Sequence, residues 1–155
     1  MRISFDLDDT LICYRDSVPG EPRLHWFWRL LVHDEPLRLG TPELIRQLRQ
    51  RGWDVWIYTT SNRSPAAVRR WLRYHGVHID GMVNQDAHDW HLRRSSQDRP
   101  PSKNPAAFAI DLHVDDSDGV RIEGEQHGFS VVVVRPEDGD WTKKVLAAAV
   151  GSARK

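Results

Sequence analysis

RISFDLDDTL, residues 2–11, is the stretch that decides the fold, because a short apolar run ends there in three acids and a threonine. Its β-prone side chains predict a strand from Arg2 to Asp6 that reaches the surface at its carboxyl end. Ligands of open α/β sheets bind in the crevice beyond the carboxyl ends of the strands. We therefore expect the carboxylates of Asp6 and Asp8 at one pocket, with the Thr10 hydroxyl tying the next turn to the backbone.

The paired carboxylates of this stretch predict a cation site. Crowded carboxylates repel each other and are costly to bury unless a cation neutralises them. Hard oxygen ligands favour Mg²⁺, which commonly binds one or two carboxylates together with a phosphate. An acidic surface turn at a strand end is the alternative, since short motifs also occur by chance. The rest of the chain decides between the two.

Length and composition predict a single globular domain. The chain has 155 residues, of which 39% are hydrophobic and 28% charged, which is enough for one domain with its own core. Lys+Arg and Asp+Glu both number 22, so the global charge indicates neither nucleic acid nor an anionic membrane as a partner. Cys13 is the only cysteine, which excludes an intramolecular disulfide and fits a reducing compartment. With no apolar run of membrane-spanning length and no signal peptide in view, we expect a cytoplasmic protein.

Strands and helices alternate along the rest of the chain. Apolar runs predict strands, and capping residues before a proline predict helix starts, as at Thr41-Pro42 and Ser64-Pro65. The strands are predicted at 2–6, 54–59, 82–84, 108–114 and 129–134, the last as a buried strand. The helices are predicted at 41–51, 66–75 and 141–150, with a very short one from 104 and a helical turn at 119–127. This alternation predicts an α/β fold with a parallel, doubly wound sheet.

Two segments interrupt the alternation. Residues 12–39 contain prolines that break any long element, and the aromatic run from Leu24 to Leu31 predicts a short helix packed on the domain. Residues 85–102 are polar and are predicted to be a long surface loop, a kind of segment that is often functional. The arginines of this loop are either solvated or in bidentate contact with a phosphorylated substrate. They are Arg93, Arg94 and Arg99.

Chemically competent side chains occur in four segments, and all four fall at one edge of the predicted sheet. Carboxylates follow the first strand, hydroxyls follow the second, and an acidic pair follows the fourth. A lysine precedes the fourth strand, in a chain whose basic residues are mostly arginine. The set comprises Asp6, Asp8, Thr59, Thr60, Lys103, Asp115 and Asp116.

This set resembles the motifs of the haloacid dehalogenase superfamily. The first family motif, Asp-x-Asp-x-Thr after an apolar strand, is matched by residues 6–10. Thr59 best matches the second, a hydroxyl residue at the end of the next strand, with Thr60 as the alternate. Lys103 matches the third motif and Asp115-Asp116 the fourth. The resemblance spans almost the whole chain as one domain, and it implies a three-layer, Rossmann-like sheet of about five parallel strands.

The resemblance also implies a phosphatase that forms an aspartyl-phosphate. Asp6 would attack phosphorus, and Asp8 would protonate the leaving oxygen and later activate water. Thr59 and backbone amides would bind the phosphoryl oxygens, with Thr60 nearby, and Lys103 would neutralise the charge that gathers there. An acid at position 8 separates phosphatases from true dehalogenases in this family, because carbon–halogen cleavage needs no protonated leaving group.

A magnesium site follows from the same resemblance. Mg²⁺ would be held by the Asp6 carboxylate, the Asp8 backbone carbonyl and Asp116. Asp115 would be a direct or a water-mediated partner of the ion.

Family members often carry a cap domain, and here residues 12–39 would form only a flap or minimal cap, with 85–102 as a loop on the substrate side. The resemblance therefore implies an open site for a phosphorylated substrate, either a small metabolite or a macromolecule. The sequence gives no indication of the oligomeric state.

Two competing hypotheses keep the same fold: a non-catalytic binding or scaffolding module, and a phosphotransferase. The phosphotransferase is disfavoured because a small cap excludes water poorly.

Other titratable residues have simpler explanations. Histidines form two His-x-x-His spacings that could suggest zinc, but surface histidines are the expected explanation, since spacing alone does not specify a tetrahedral site. These are His75, His78, His88 and His91. Asp118 is expected to be an acid at a helix start, where it suits the helix dipole.

Overall fold

Five parallel strands form the sheet at the centre of the structure, a computed structural model that describes residues 1–23, 35–94 and 101–152. The strands are β1 (Arg2–Phe5), β2 (Asp54–Tyr58), β3 (Gly81–Val83), β4 (Leu112–Asp115) and β5 (Val131–Val133). The helices are α1 (Thr41–Gln50), α2 (Pro65–Tyr74), α3 (Gln85–Leu92), α4 (Asp118–His127) and α5 (Trp141–Ser152), with a 3₁₀ helix at Pro105–Phe108. The strand order β3-β2-β1-β4-β5 places β1 in the middle of the sheet.

The two faces of the sheet are covered differently, because successive side chains of a strand point to opposite faces. On one face, Ile3, Phe5, Val55 and Ile57 belong to the main core with apolar residues of α1, α2 and α5. On the other face, Tyr58 packs in a small cluster with residues that flank or belong to α3 and the 3₁₀ helix. Those residues are Val83, Ala87, Phe108 and Ile110. Helices therefore cover both faces, and the predicted doubly wound α/β fold is confirmed.

The second face also buries polar side chains beside β1. Ser4 on β1 and His113 on β4 are register partners, and neither is exposed to solvent. A buried histidine in an otherwise apolar strand requires hydrogen-bond partners, since unpaired polar groups are costly to bury. These partners connect the middle of the sheet to its carboxyl edge, as described below.

Residues 85–102 are not one long loop, because α3 occupies the first eight of them. The Asn84 side chain caps this helix by accepting a hydrogen bond from the Ala87 amide. The sequence of α3 is mostly polar, so it lacked the apolar periodicity on which the prediction relied. Residues 95–100, which include Arg99, and the helix predicted at 24–31 lie outside the described residues.

Three other local predictions need correction. Helix α1 begins at Thr41, and its cap residue is Gly40 with a φ of 88°, a conformation that glycine adopts without strain. The fourth strand is shorter than predicted, because the 3₁₀ helix precedes it and Ala109 turns the chain with a φ of 52°. Strand β5 is half-buried, since it lies at the edge of the sheet.

In the described parts of the chain, no helix is long and apolar enough to cross a membrane.

Gly124 of α4 provides a test of packing at the sheet edge. A Cβ atom at this position would lie 2.6 Å from the Phe129 carbonyl oxygen, whereas one at Gly151 of α5 would meet nothing within 4 Å. We expect Gly124→Ala to lower the free energy of unfolding by about 1–3 kcal/mol through overpacking. The matched Gly151→Ala should leave it unchanged or raise it by up to about 1 kcal/mol, because alanine favours helix. Urea unfolding followed by circular dichroism measures both, and equal stabilities would contradict the packing argument.

Candidate active site

The turn after β1 places the first two acids of the site. The Asp6 amide donates a hydrogen bond to the Val114 carbonyl of β4, 2.9 Å away, so Asp6 continues the sheet beyond the strand. The Leu7 carbonyl then accepts from three amides that follow, those of residues 10, 11 and 12. The chain turns back sharply through Asp9, whose φ of 54° is unusual for a residue other than glycine.

Thr10 does not hold this turn in the way predicted. Its hydroxyl is buried and has no hydrogen-bond partner among the described residues. The backbone of Thr10 is held instead, because the buried Arg38 guanidinium donates to its carbonyl over 3.3 Å. The same guanidinium donates to three carbonyls of the segment after β5, those of Arg135, Pro136 and Asp138. Arg38 thus ties the end of the 12–39 insertion to the turn that carries the first motif.

Three carboxylates and one lysine meet at the carboxyl edge of β1 and β4. Carboxylate oxygens of Asp6, Asp115 and Asp116 lie within 4.8 Å of one another. The Lys103 Nζ lies 3.0 Å from Asp6 Oδ1 and 2.5 Å from Asp115 Oδ2, and its side chain is only 6% exposed. The structure therefore brings together residues of three of the predicted motifs: Asp6 from near the start of the chain, and Lys103 and Asp115, which are 12 positions apart.

The pKa values of the two carboxylates beside Lys103 move in opposite directions. Burial raises the pKa of Asp6 to about 6, although the charge of Lys103 lowers it. Burial also opposes the charged form of Asp115, but hydrogen bonds from His113 and Lys103 outweigh it and hold that pKa well below its usual range. Burial disfavours the ammonium of Lys103, yet Asp6 and Asp115 raise its pKa above the ordinary value. Lys103 is therefore a permanent cation that belongs chiefly to Asp115.

Asp115 is fixed by a chain of hydrogen bonds that sequence reasoning missed. His113 Nε2 lies 3.0 Å from Asp115 Oδ2, and His113 Nδ1 lies 2.8 Å from the Ser4 hydroxyl. Burial lowers the pKa of His113, so the neutral ring donates to Asp115 from Nε2 and accepts from Ser4 at Nδ1. The other Asp115 oxygen accepts from the Ser117 amide over 2.9 Å. The signal available in the sequence was a histidine inside an apolar strand directly before an acidic pair.

The carboxylates that remain fit a hard divalent cation. Asp6 Oδ1 is buried and accepts no hydrogen bond of normal geometry, although Lys103 contacts it at 3.0 Å. Asp116 is half-buried, and a hydrogen bond from its own backbone amide acts on its carboxylate. Burial, and then the charge of Asp115, raise the pKa of Asp116. Two under-coordinated carboxylates beside a third are the oxygen-rich donor set that Mg²⁺ prefers.

Thr59 and Thr60 are placed differently at the end of β2. Thr59 is 1% exposed, and its Oγ1 accepts a hydrogen bond from the Ser61 amide over 3.2 Å. Thr60 is exposed. Thr59 therefore has the fixed side chain of the two, which favours it as the residue of the second motif.

Arg93 and Arg94 are exposed at the end of α3, and no described contact brings them to the acidic cluster. The Arg94 guanidinium instead lies 3.8 Å from the centre of the Trp90 ring. A role for the pair in substrate binding stays a prediction. Asp118 lies in the first turn of α4, as predicted.

Asp8 is held by an arginine that the sequence analysis did not consider. Arg63, four residues after Thr59, donates to both Asp8 oxygens, from Nη1 over 2.7 Å and from Nη2 over 2.8 Å. It also donates to both oxygens of Glu35, which lies near the end of the insertion, over 3.0 Å each. The Tyr14 hydroxyl donates to Glu35 as well. In the sequence, Arg63 could be noticed only as a basic residue after a run of hydroxyl and amide residues, a pattern that is common in loops.

The histidine pairs do not form a metal site in the described parts of the chain, where the only group of metal-competent side chains is the acidic cluster. His88 is buried rather than on the surface. Its Nδ1 lies 2.7 Å from the Tyr58 hydroxyl, which in turn accepts from the Asn104 amide over 2.8 Å. Since burial lowers the pKa of His88, the neutral ring accepts from Tyr58. This pair anchors the backbone next to Lys103.

Comparison with known proteins identifies the fold. No protein-family model matches the sequence, and no curated protein matches it. A chain in a structure of the Pnkp1/Rnl/Hen1 complex is 15% identical over 85% of this chain, with a TM-score of 0.56, and this chain spans only 45% of its length. The D,D-heptose 1,7-bisphosphate phosphatase from B. bronchiseptica, solved with magnesium and phosphate, is 15% identical, with 94% of this chain and 86% of that chain covered and a TM-score of 0.52. A predicted HAD-like family hydrolase from Porphyromonas gingivalis is 12% identical, with 99% and 98% covered and a TM-score of 0.49.

These likenesses concern the fold, since sequence identity is low throughout. The chain has the fold of the haloacid dehalogenase-like hydrolases, as the motifs predicted.

The opposite pKa shifts of Asp6 and Asp115 predict opposite effects on stability. Asp6, with its pKa raised to about 6, binds protons more tightly in the folded than in the unfolded protein, so it costs stability as the pH rises from about 4 to above 6. Asp6→Asn should therefore raise the free energy of unfolding by about 1–3 kcal/mol at pH 8 in chelator-treated protein, and the gain should fade towards pH 4. Asp115→Asn should lower it by about 3–5 kcal/mol at pH 8, because it leaves Lys103 buried without its main partner.

Denaturant unfolding of both variants at pH 4 and pH 8 measures these effects. A loss of stability in both variants at pH 8 would contradict the assignment of Lys103 chiefly to Asp115.

Proposed function

We propose that this protein is a magnesium-dependent phosphomonoester hydrolase that acts through an aspartyl-phosphate on Asp6. One observation carries the proposal: Asp6 follows the central strand with a buried Oδ1 that accepts no hydrogen bond of normal geometry and contacts Lys103 Nζ at 3.0 Å. Its carboxylate also clusters with those of Asp115 and Asp116, with oxygens within 4.8 Å of one another. A nucleophilic carboxylate needs a free oxygen next to a group that neutralises the incoming phosphate. The cluster supplies both.

Asp6 is the nucleophile in this proposal. Its Oδ1 forms the bond to phosphorus while the bond between phosphorus and the leaving oxygen breaks, which splits one displacement into two easier ones. Once it has left Arg63 and taken up a proton from solvent, Asp8 gives that proton to the leaving oxygen. It then takes one from the water that hydrolyses the intermediate, which restores the Asp6 carboxylate and the protonated Asp8. To do so, the Asp8 carboxylate must leave Arg63, because both of its oxygens are occupied there.

Magnesium would be held by Asp6, Asp116 and the Asp8 backbone carbonyl, and it supplies charge neutralisation at the phosphate when bound. The hydrogen bonds of Asp115 to Lys103, His113 and the Ser117 amide support a water-mediated rather than a direct role for that carboxylate. Its own task is to keep Lys103 charged and in place.

Lys103 and Thr59 orient the phosphoryl group. The Lys103 ammonium stays charged beside Asp6 and offsets the negative charge that gathers when phosphate approaches a carboxylate. Thr59, buried at the end of β2, presents a hydroxyl at the same edge of the sheet, and Thr60 is the exposed neighbour. In the turn after Asp6, the amides of residues 9–12 are bonded within the turn, so the backbone amides that precede them would complete the phosphate site.

The length of the insertion supports a substrate class. Residues 12–39 and the segment after α3 are too short for a separate cap domain, so we expect a site that admits a small phosphorylated metabolite or a macromolecular phosphate. The name of the similar heptose bisphosphate phosphatase favours the first, and the RNA repair complex that contains a similar chain is compatible with the second. A phosphotransferase would yield a phosphorylated alcohol instead of inorganic phosphate, which product analysis distinguishes.

Hydrolysis of an aryl phosphate tests the reaction. With Mg²⁺ present, the wild type should release phosphate, and Asp6→Asn should lower kcat/KM by at least about 10³-fold because it removes the nucleophile. Asp54→Asn is the matched control, since Asp54 is exposed at the opposite edge of the same sheet. A folded wild type that is inactive with several divalent metals would favour the non-catalytic module.

Direct titration with Mg²⁺ tests the metal site without relying on activity. Asp116→Asn should weaken Mg²⁺ binding by about 10–100-fold, because it removes one carboxylate of the acidic cluster. Asp118→Asn is the control, since that carboxylate is exposed and paired with Arg121 and Arg135. Isothermal titration calorimetry gives both affinities, and equal weakening in the two variants would exclude Asp116 as a specific ligand.

A further inference from the structure

Arg63 forms two separate bidentate contacts, and this arrangement has a use beyond holding Asp8. The Nε/Nη2 edge of the guanidinium faces Glu35, and the Nη1/Nη2 edge faces Asp8. Burial opposes the charge of Arg63, but the hydrogen bond to Asp8 is the largest influence and raises the pKa of the guanidinium. Arg63 is therefore always charged, with one fork on each of two carboxylates.

The two carboxylates are not equivalent partners. The Glu35 side chain is 11% exposed and also accepts a hydrogen bond from the Tyr14 hydroxyl, so it is fixed to the insertion. The Asp8 side chain is 48% exposed and has only Arg63 as a partner within the described residues. Glu35 is thus the anchor of Arg63, and Asp8 is the partner that can be exchanged.

The proposed reaction requires this exchange, because Asp8 cannot reach the leaving oxygen while Arg63 holds both of its oxygens. When Asp8 turns to the substrate, the Nη1/Nη2 edge of Arg63 loses a carboxylate and gains no replacement from the described chain. A charged guanidinium edge with empty donors favours a carboxylate or phosphate, whose oxygens match the spacing of its fork.

The position of this edge indicates which part of the substrate it meets. Asp8 does not belong to the cluster of Asp6, Asp115 and Asp116 that marks the transferred phosphoryl group. Arg63 contacts the Asp8 carboxylate, whose place in the proposed reaction is at the leaving oxygen. A group that replaces Asp8 on Arg63 is therefore attached to the leaving group.

We propose that Arg63 and Glu35 form a binding site for a second anionic group of the substrate, which replaces Asp8 on the Nη1/Nη2 edge. The preferred substrates are then phosphomonoesters whose leaving group carries a carboxylate or a second phosphate. The inference rests on the proposed phosphatase reaction. It assigns Glu35 as a positioning residue, because Glu35 holds the guanidinium while its other partner changes.

A matched substrate series tests the site. Alkyl phosphates of two to four carbons that end in a hydroxyl, a carboxylate or a second phosphate differ only in the terminal group. At constant ionic strength, wild-type kcat/KM should favour the carboxylate or the bisphosphate over the alcohol by about tenfold or more at one chain length, because the fork forms charge-assisted bonds. The two anionic arms show which of the two groups the fork prefers.

Variants of the two residues separate binding from folding. Arg63→Gln should bring the ratio of anionic to neutral substrate close to one, and Arg63→Lys should retain part of it, since lysine keeps the charge without the fork. Glu35→Gln should lower the ratio of anionic to neutral substrate even though Arg63 is still present, because the guanidinium loses its anchor. Arg46→Gln, which removes an exposed guanidinium paired with Glu43 outside the site, should leave it unchanged. Thermal melts confirm that each variant is folded.

Two results would overturn the inference: a wild type with no preference for anionic leaving groups, or a preference that survives in Arg63→Gln. A uniform loss with every substrate in Arg63→Gln would place the guanidinium on the transferred phosphoryl group instead. Calorimetry with unreactive alkyl phosphonates carrying the same terminal groups keeps this test separate from the reaction itself. If nothing is hydrolysed but Arg63→Gln still abolishes the preference in phosphonate binding, the phosphatase proposal fails and the anion site stands.

Discussion

A lysine buried between two carboxylates is the interaction on which the carboxyl edge of the sheet depends. An ammonium that is 6% exposed costs several kcal/mol in lost hydration unless opposite charges compensate it. Lys103 obtains that compensation from Asp6 and Asp115, which the parallel pairing of β1 with β4 brings side by side. Removal of either carboxylate changes the charge balance around a fixed cation. A substitution at the end of one strand therefore affects the residues at the end of the other.

The second face of the sheet provides hydrogen bonds that hold Lys103 and its partner Asp115 in place. His113 and Ser4 fix the far side of Asp115, and the Tyr58–His88 pair fixes the backbone at Asn104, the residue after Lys103. These two polar pairs are tolerated under the helices on this face because their members bond to each other, whereas the opposite face is filled almost entirely with apolar side chains. The sheet therefore divides its tasks, with stability on one face and alignment of the site on the other.

The part of the site that could be predicted consists of residues attached to strands. Asp6, Thr59 and Asp116 follow apolar runs, and the carboxyl ends of parallel strands meet at one edge, so local patterns sufficed to bring them together. Arg63 could not be predicted, because its partner Asp8 is 55 positions away and either residue alone is an ordinary loop charge. The predictions for the Thr10 hydroxyl and for the cap of α1 were wrong because other groups take those roles. The Arg38 guanidinium holds the backbone carbonyl of Thr10, and Gly40 in a left-handed conformation precedes the helix. Helix α3 escaped detection because its polar sequence carries little periodicity.

The burial of Asp6 bears directly on the proposed chemistry. Asp6, Asp115 and Asp116 bring three carboxylates to one place, and burial, with a smaller contribution from the charge of Asp115, raises the pKa of Asp6 to about 6 although Lys103 lowers it. A protonated carboxyl group is a poor nucleophile, and burial alone would leave it so. A divalent cation on the free oxygens of Asp6 and Asp116 would balance the charge without that proton and would release a carboxylate with few hydrogen bonds to break. In the proposed reaction, the same burial that makes the Asp6 carboxylate costly to the fold would therefore make its reactivity depend on a cation.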